Sequence, residues 1–230
     1  MTMRRILVVA AHPDDEVLGC GGTIARLADE GSEVHVLILA EGATSRGQQR
    51  NPREYASELS ELVRCAESAN KVLGSASVKV CGFPDNRMDG TELLEVVKVI
   101  EEHIDRHRPE IVFAHRNGDV NVDHQVVHDA VIAACRPQPH HPVRGVLLFE
   151  VASSTEWRPP ASRVTFSPSC YYDIEGVLGR KLDALSKYSS EIRPFPHPRS
   201  LEAIEHLARW RGASVGCRAA EAFEIGRLLL

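Results

Sequence analysis

An α/β fold with a Rossmann-like, mostly parallel sheet flanked by helices is predicted by three observations in this chain of 230 residues. Short apolar runs alternate with longer segments whose apolar residues recur at helical spacing, the pattern of β-α-β units with right-handed crossovers. Gly31, Gly74 and Pro109 stand where three of the helical segments should stop. A polar cluster, His12-Pro13-Asp14-Asp15-Glu16, follows the first apolar run almost directly, where open α/β sheets build their sites.

The first strand is read at residues 6–9, the run Ile6, Leu7, Val8 and Val9. A helix at 17–30 follows, with Leu18, Ile24, Leu27 and Ala28 at helical spacing. Residues 34–39 form a second buried strand, and a helix at 53–73 carries Leu59, Leu62, Val63, Ala66 and Val72 on one face. Next come a strand at 78–81, a turn at 83–87, a helix at 91–107 and a fourth strand at 111–114. A helix at 124–135 and a strand at 145–150 complete the alternation. Beyond residue 150 the chain becomes rich in Pro and Ser, with a strand at 171–174 and helices at 175–188 and 201–211. No linker is long enough to free this stretch. One domain over 1–230 is therefore expected, with a core at 1–150 and a C-terminal α+β extension at 151–230 packed on the sheet.

A hydrophobic content of 43% is enough for one sizeable core. The formal charge of −5 gives no field that would gather nucleic acid or an anionic membrane surface. No apolar stretch reaches the ~18 residues of a membrane span, and the first residues lack the pattern of a signal peptide. The six cysteines form no C-x-x-C pair and read as small buried hydrophobes in a reducing compartment. A cytoplasmic protein is expected, and nothing in the sequence argues against a homo-oligomer. Cys20 has no His and acid in a partnering pattern, which argues against a cysteine nucleophile. Gly19-Cys20-Gly21-Gly22 lacks the G-x-G-x-x-G spacing of a dinucleotide fingerprint, so close helix packing is its expected use.

The polar cluster carries the chemistry. A tight turn around Pro13 would let His12 and Asp15 converge, and one imidazole with one carboxylate is two-thirds of a catalytic zinc site. Asp14 is then left free beside them. The third ligand is sought in the polar loop 115–124 after the fourth strand, and His124 is chosen. Its rival is His128, one helical turn on. Asp123 could hold an imidazole in one tautomer. Zn2+ suits such a set with an open position, and Fe2+ accepts the same ligand types.

The run Ala11-His12-Pro13-Asp14-Asp15-Glu16 after a strand, the helix start Gly19-Cys20-Gly21-Gly22-Thr23 and the later pair Asp123-His124 resemble the LmbE-like (PIG-L) family of metal-dependent N-deacetylases. Members of that family remove acetyl groups from N-acetylglucosamine-type sugars, so the resemblance implies an N-acetylated amino sugar or glycoconjugate as substrate. It also implies His12, Asp15 and His124 as metal ligands and Asp14 as general base. The matching order of strands and helices covers residues 4–150. The stretch with Tyr188 and Pro196-His197-Pro198-Arg199-Ser200 is similar to bacterial members associated with sugar or glycan biosynthesis. Many members carry a carbonyl-polarising histidine where this chain has Asn121, leaving Asn121 or His115 for that task. Arg53, Asp85, Arg87, Asn121 and His197, with Arg199, are candidate substrate contacts in loops or near strand ends. An amidase acting on a thiol-sugar conjugate, or a non-catalytic carbohydrate-binding protein on the same fold, are the alternatives.

Overall fold

Strand β1 (Arg5–Ala10) lies mid-sheet because Ile6, Leu7, Val8, Val9 and Ala10 are all buried, which needs cover on both faces. The computed structural model describes residues 4–159 and 165–229. In chain order the elements after β1 are α1 (Asp15–Asp29), β2 (Glu33–Ala40), α2 (Ala56–Leu73), β3 (Ser77–Phe83), α3 (Leu93–His107), β4 (Ile111–His115) and α4 (Val122–Ala134). They continue with β5 (Gly145–Phe149), β6 (Cys170–Asp173), α5 (Leu178–Ser186), α6 (Leu201–Ala213) and β7 (Ala220–Leu228).

The seven strands form one sheet in the order β3-β2-β1-β4-β5-β7-β6. β1 to β5 run parallel, while β7 is antiparallel to both β5 and β6. Side chains alternate across β1. Ile6, Val8 and Ala10 pack under α1, α2, α5 and α6 with Ile24, Ala66, Leu185 and Ile204, whereas Leu7 and Val9 face α3 and α4 with Val96, Ile100, Val127 and Val131. From β1 the chain first builds outward through β2 and β3, then returns to add β4 and β5 on the other side. The crevice at the carboxyl ends of β1 and β4 is therefore the switch point where ligands of open α/β sheets bind.

Apart from other shifts of a few residues in element bounds, the structure differs from the sequence reading at three places. β7 was not predicted, although Ala220, Ala222 and Phe223 are buried between β5 and β6 and the segment alternates apolar with charged residues. α2 starts at Ala56, not at residue 53, because Asn51 and Pro52 form a turn in which Glu54 N–H donates to the Asn51 carbonyl. α1 is broken at Cys20, whose φ of −149° leaves the helical region. The broken turn is repaired from the C-terminal extension. Lys181 Nζ donates to the Leu18 carbonyl at 2.9 Å, and Glu221 accepts from the N–H groups of Gly22 and Thr23 at 2.9 and 2.7 Å. Lys181 and Glu221 also pair with each other at 2.5 Å. A Cβ at Gly19 would come within 2.3 Å of the Phe149 ring and one at Gly22 within 2.7 Å of Ile174, so these glycines allow close packing. No helix among the described residues is long and apolar enough to cross a membrane.

Candidate metal and catalytic site

β1 ends at Ala10, and the Ala11 N–H donates to His115 Nε2 at the tip of β4 at 2.8 Å, which ties the two sides of the crevice together. The chain then turns sharply through Asp14, which holds φ 111°, a region unfavourable to any L side chain. The Asp14 carbonyl receives N–H bonds from Val17 and Leu18 and so starts α1.

This turn places His12 Nδ1 3.2 Å from Asp15 Oδ2, an oxygen that also accepts from the His12 N–H at 2.9 Å. His124, in the first turn of α4, brings its Nε2 to 3.1 Å from the same oxygen, but off the line a hydrogen bond needs. Asp15 Oδ1 and His124 Nε2 are thus buried without a hydrogen-bond partner. Buried polar atoms seldom stay unpaired. One donor atom each from His12, Asp15 and His124 lies within 4.8 Å of the other two, so the three residues fit a cation.

The surroundings hold these groups in place. His12 Nε2 faces Asp123 Oδ2 at 3.0 Å and Asp85 Oδ1 at 3.4 Å. Asp123 is fixed in turn by the N–H groups of Asn86 and Met88 at 2.6 and 2.9 Å. Asp123 therefore orients the ring of His12, and the residue facing its neighbour His124 is Asp119, 3.3 Å from Nδ1. Asp119 is absent from the sequence reading. Its only signal was membership of the polar loop after β4, and Ser154 and Thr155 of the C-terminal extension bond its carboxylate. His115 is fully buried and stacks on His124 with centroids 3.9 Å apart. His128 turns toward the His115 carbonyl, with Nδ1 at 3.0 Å.

The electrostatics favour positive charge at the cluster. Burial lowers the His12 pKa, but hydrogen bonds to Asp123 and Asp15 outweigh it and push the value up to about 10. Burial alone would raise Asp15, yet the charges of His124, His12 and His115 hold it well below the usual carboxylate range. Asp14 is 2% exposed, and burial raises its pKa well above the ordinary value against the pull of Arg199, whose Nη1 donates to Asp14 Oδ2 at 3.1 Å. Glu16 points the other way, accepting from Tyr188 and Asn70 at 2.6 and 3.1 Å. Burial pushes the Cys20 thiol up, and its Sγ donates to the Glu16 carbonyl, which leaves it unsuited to attack.

Among the candidate substrate contacts, Asp85 lies beside His12 and accepts from Ser45 N–H at 3.0 Å. Arg87 is exposed and donates to the Gln48 carbonyl at 3.2 Å, bridging two rim loops. Asn121 caps α4, with Oδ1 accepting from Asp123 N–H at 2.8 Å and Nδ2 donating to Asn86 at 2.9 Å. Arg53 is exposed before α2. His197 accepts from the Arg199 N–H at 3.0 Å and meets Trp157 edge-on. No contact of Arg53 or His197 with the ligand cluster is present among the described residues.

A family model described as PIG-L, GlcNAc-PI de-N-acetylase, matches residues 7–135. The 1D-myo-inositol 2-acetamido-2-deoxy-alpha-D-glucopyranoside deacetylase of Rhodococcus erythropolis is 29% identical over 229 residues, covering 88% of this chain and 72% of the relative. Among solved structures, N,N'-diacetylchitobiose deacetylase from Pyrococcus horikoshii superposes with a TM-score of 0.76 at 21% identity, covering 97% of this chain and 84% of that one. GalB, the 4-carboxy-2-hydroxymuconate hydratase of Pseudomonas putida, gives 0.78 at 22% identity, with 99% and 98% covered. At such identities the two structures show a common fold alone, and that fold hosts both a deacetylase and a hydratase.

Proposed function

The chain belongs to the PIG-L family of GlcNAc-PI de-N-acetylases, and from that premise we propose that it is a metal-dependent hydrolase removing the N-acetyl group from an N-acetylglucosamine-type sugar or conjugate. The observation that carries this reading is the buried set His12, Asp15 and His124, with unpaired ligand atoms and the buried carboxylate of Asp14, paired with Arg199, alongside. Relatives named as deacetylases of 2-acetamido-2-deoxyglucose conjugates support the sugar.

In this reading His12, Asp15 and His124 hold one divalent ion, Zn2+ or Fe2+. When bound, such an ion supplies Lewis-acid polarisation of the acyl carbonyl and makes the attacking water more acidic. Asp14 takes the proton of that water and later delivers it to the departing amine. Its raised pKa makes it a stronger base than an ordinary carboxylate, which suits work near neutral pH. Asp123 keeps His12 Nε2 engaged, which leaves Nδ1 as the ring atom that would hold an ion. Asp119, 3.3 Å from His124 Nδ1, sits on the side of that ring away from Asp15, so that Nε2 would be the ligand atom of His124. Asp85, beside His12, and Asn121, Arg87, Arg53 and His197 are proposed to meet the sugar or its aglycone. Six free cysteines support a reducing, cytoplasmic setting.

The test is incubation of zinc-loaded protein with a panel of N-acetylated amino sugars, free and conjugated, with detection of released acetate. Release that stops on chelation and returns with metal is expected. Absence of acetate from every member of the panel would overturn the reading.

A further inference from the structure

We propose that Arg199 is a catalytic residue of this deacetylation, donating from its guanidinium to the acyl oxygen as that oxygen becomes an anion. The proposal rests on the deacetylase reading above. Attack on an amide carbonyl drives negative charge onto its oxygen, and a donor already aimed at that place lowers the barrier.

The side chains that could serve are few. Asn121 has its Oδ1 committed as the cap of α4 and its amide nitrogen already donating to Asn86. His115 is sealed beneath His124, and its Nε2 accepts from the Ala11 N–H, which places its proton on the buried Nδ1. Arg199 differs from both. Its Nε donates to Ser153 Oγ at 2.7 Å and its Nη1 to Asp14 Oδ2 at 3.1 Å, which fixes the plane of the guanidinium. Its Nη2 makes no hydrogen bond among the described residues, and the side chain is 25% exposed. Ser200 caps α6 immediately after it, so the backbone behind the side chain is anchored. A rigid cation with an uncommitted N–H therefore stands against the carboxylate that handles the proton.

Charge stays balanced through the reaction. Water forms a bond to the acyl carbon, its proton passes to Asp14, and the carbonyl π pair moves onto the oxygen. Asp14 stops being the counter-ion of Arg199 at the moment a new anion forms on the other oxygen of the same acyl carbon, and the guanidinium donates to it. When the C=O bond re-forms the C–N bond breaks, the Asp14 proton goes to the amine nitrogen, and the Asp14–Arg199 pair is restored.

The experiment compares wild type, Arg199→Met and Arg199→Lys in turnover of N-acetylglucosamine and in affinity for its methylphosphonamide, an anionic tetrahedral mimic of the reacting centre. Metal content and thermal midpoint are measured alongside. In Arg199→Met, kcat should fall ~10²–10³-fold with KM near wild type, as for loss of one oxyanion donor. Affinity for the mimic should fall by a similar factor, and Arg199→Lys should recover part of both. Equal weakening of substrate and mimic, or an unchanged kcat, would make Arg199 a structural tie and overturn the proposal. If the Met variant does not fold, Arg199→Lys against wild type gives the same comparison. Wild-type turnover with no change in the variants removes the role of Arg199 alone, whereas no wild-type turnover of any sugar removes the deacetylase reading and this role with it.

Discussion

Asp14 combines a strained backbone, a buried carboxyl and a single arginine partner, and each feature has a cost that its neighbours must offset. Asp14→Asn keeps the shape and the turn, so metal content and thermal midpoint should stay near wild type while kcat drops ~10²–10⁴-fold, the usual worth of a general base. Mass spectrometry of the intact protein and acetate release check the two halves. A second expectation separates the histidines. His12→Ala, Asp15→Ala and His124→Ala should each lose bound metal, whereas His128→Ala should keep it, because His128 faces the His115 carbonyl and not the cluster. The convergence of His12 and Asp15 was legible from their spacing around Pro13, since a turn of that length admits few geometries. The exchange of partners, Asp123 with His12 and Asp119 with His124, was not. It depends on how the loop after β3 meets the start of α4. The same holds for Arg199, which reaches Asp14 across 185 positions of chain.

Elements set where those residues stand. The break in α1 at Cys20 would leave a carbonyl and two N–H groups unpaired in the interior, and the Lys181–Glu221 pair satisfies all three. Removing one partner of a buried ion pair strands the other charge, so Lys181→Met should cost about 3–5 kcal/mol in a denaturant titration. At the opposite end of the sheet His35 of β2 stacks on His107 of α3 at 3.7 Å, with His103 5.7 Å from His107. Burial lowers the pKa of all three below 6.5. Depressed histidines stabilise the fold above the unfolded-state pKa, and that contribution is lost as pH falls through the folded-state values. The thermal midpoint of wild type relative to that of His103→Gln/His107→Gln should therefore fall between about pH 7.5 and about pH 5. Strands and helices of the parallel core were legible because their apolar periods are long and cleanly stopped. β7 was not, since its Ala-Glu alternation is weakly apolar and only its place between β5 and β6 makes it a strand.

At the scale of the whole molecule, the division into a core at 1–150 and an extension at 151–230 describes sequence texture better than stability. β7 pairs directly with β5, and Phe113 and Phe149 of the core share one apolar cluster with Leu185, Tyr188, Ile204 and Phe223 of the extension. Ser154 and Thr155 hold Asp119, Tyr188 bonds Glu16, and Arg199 bonds Asp14, so the site itself is assembled from both stretches. We propose on these contacts that the chain folds as one domain. A fragment ending at residue 150 would leave β5 as an open, apolar sheet edge and remove α5 and α6 from one face of the sheet, leaving only α1 and α2 to cover it. It would also leave the broken turn of α1 without Lys181 and Glu221. The expected outcome is a fragment that aggregates or shows no cooperative unfolding and takes up no stoichiometric metal, measured by calorimetry and metal analysis against the full chain. A cooperative transition with one bound metal in the fragment would instead show that the parallel core stands alone and that the extension serves only to bring Arg199 and its neighbours to the cleft.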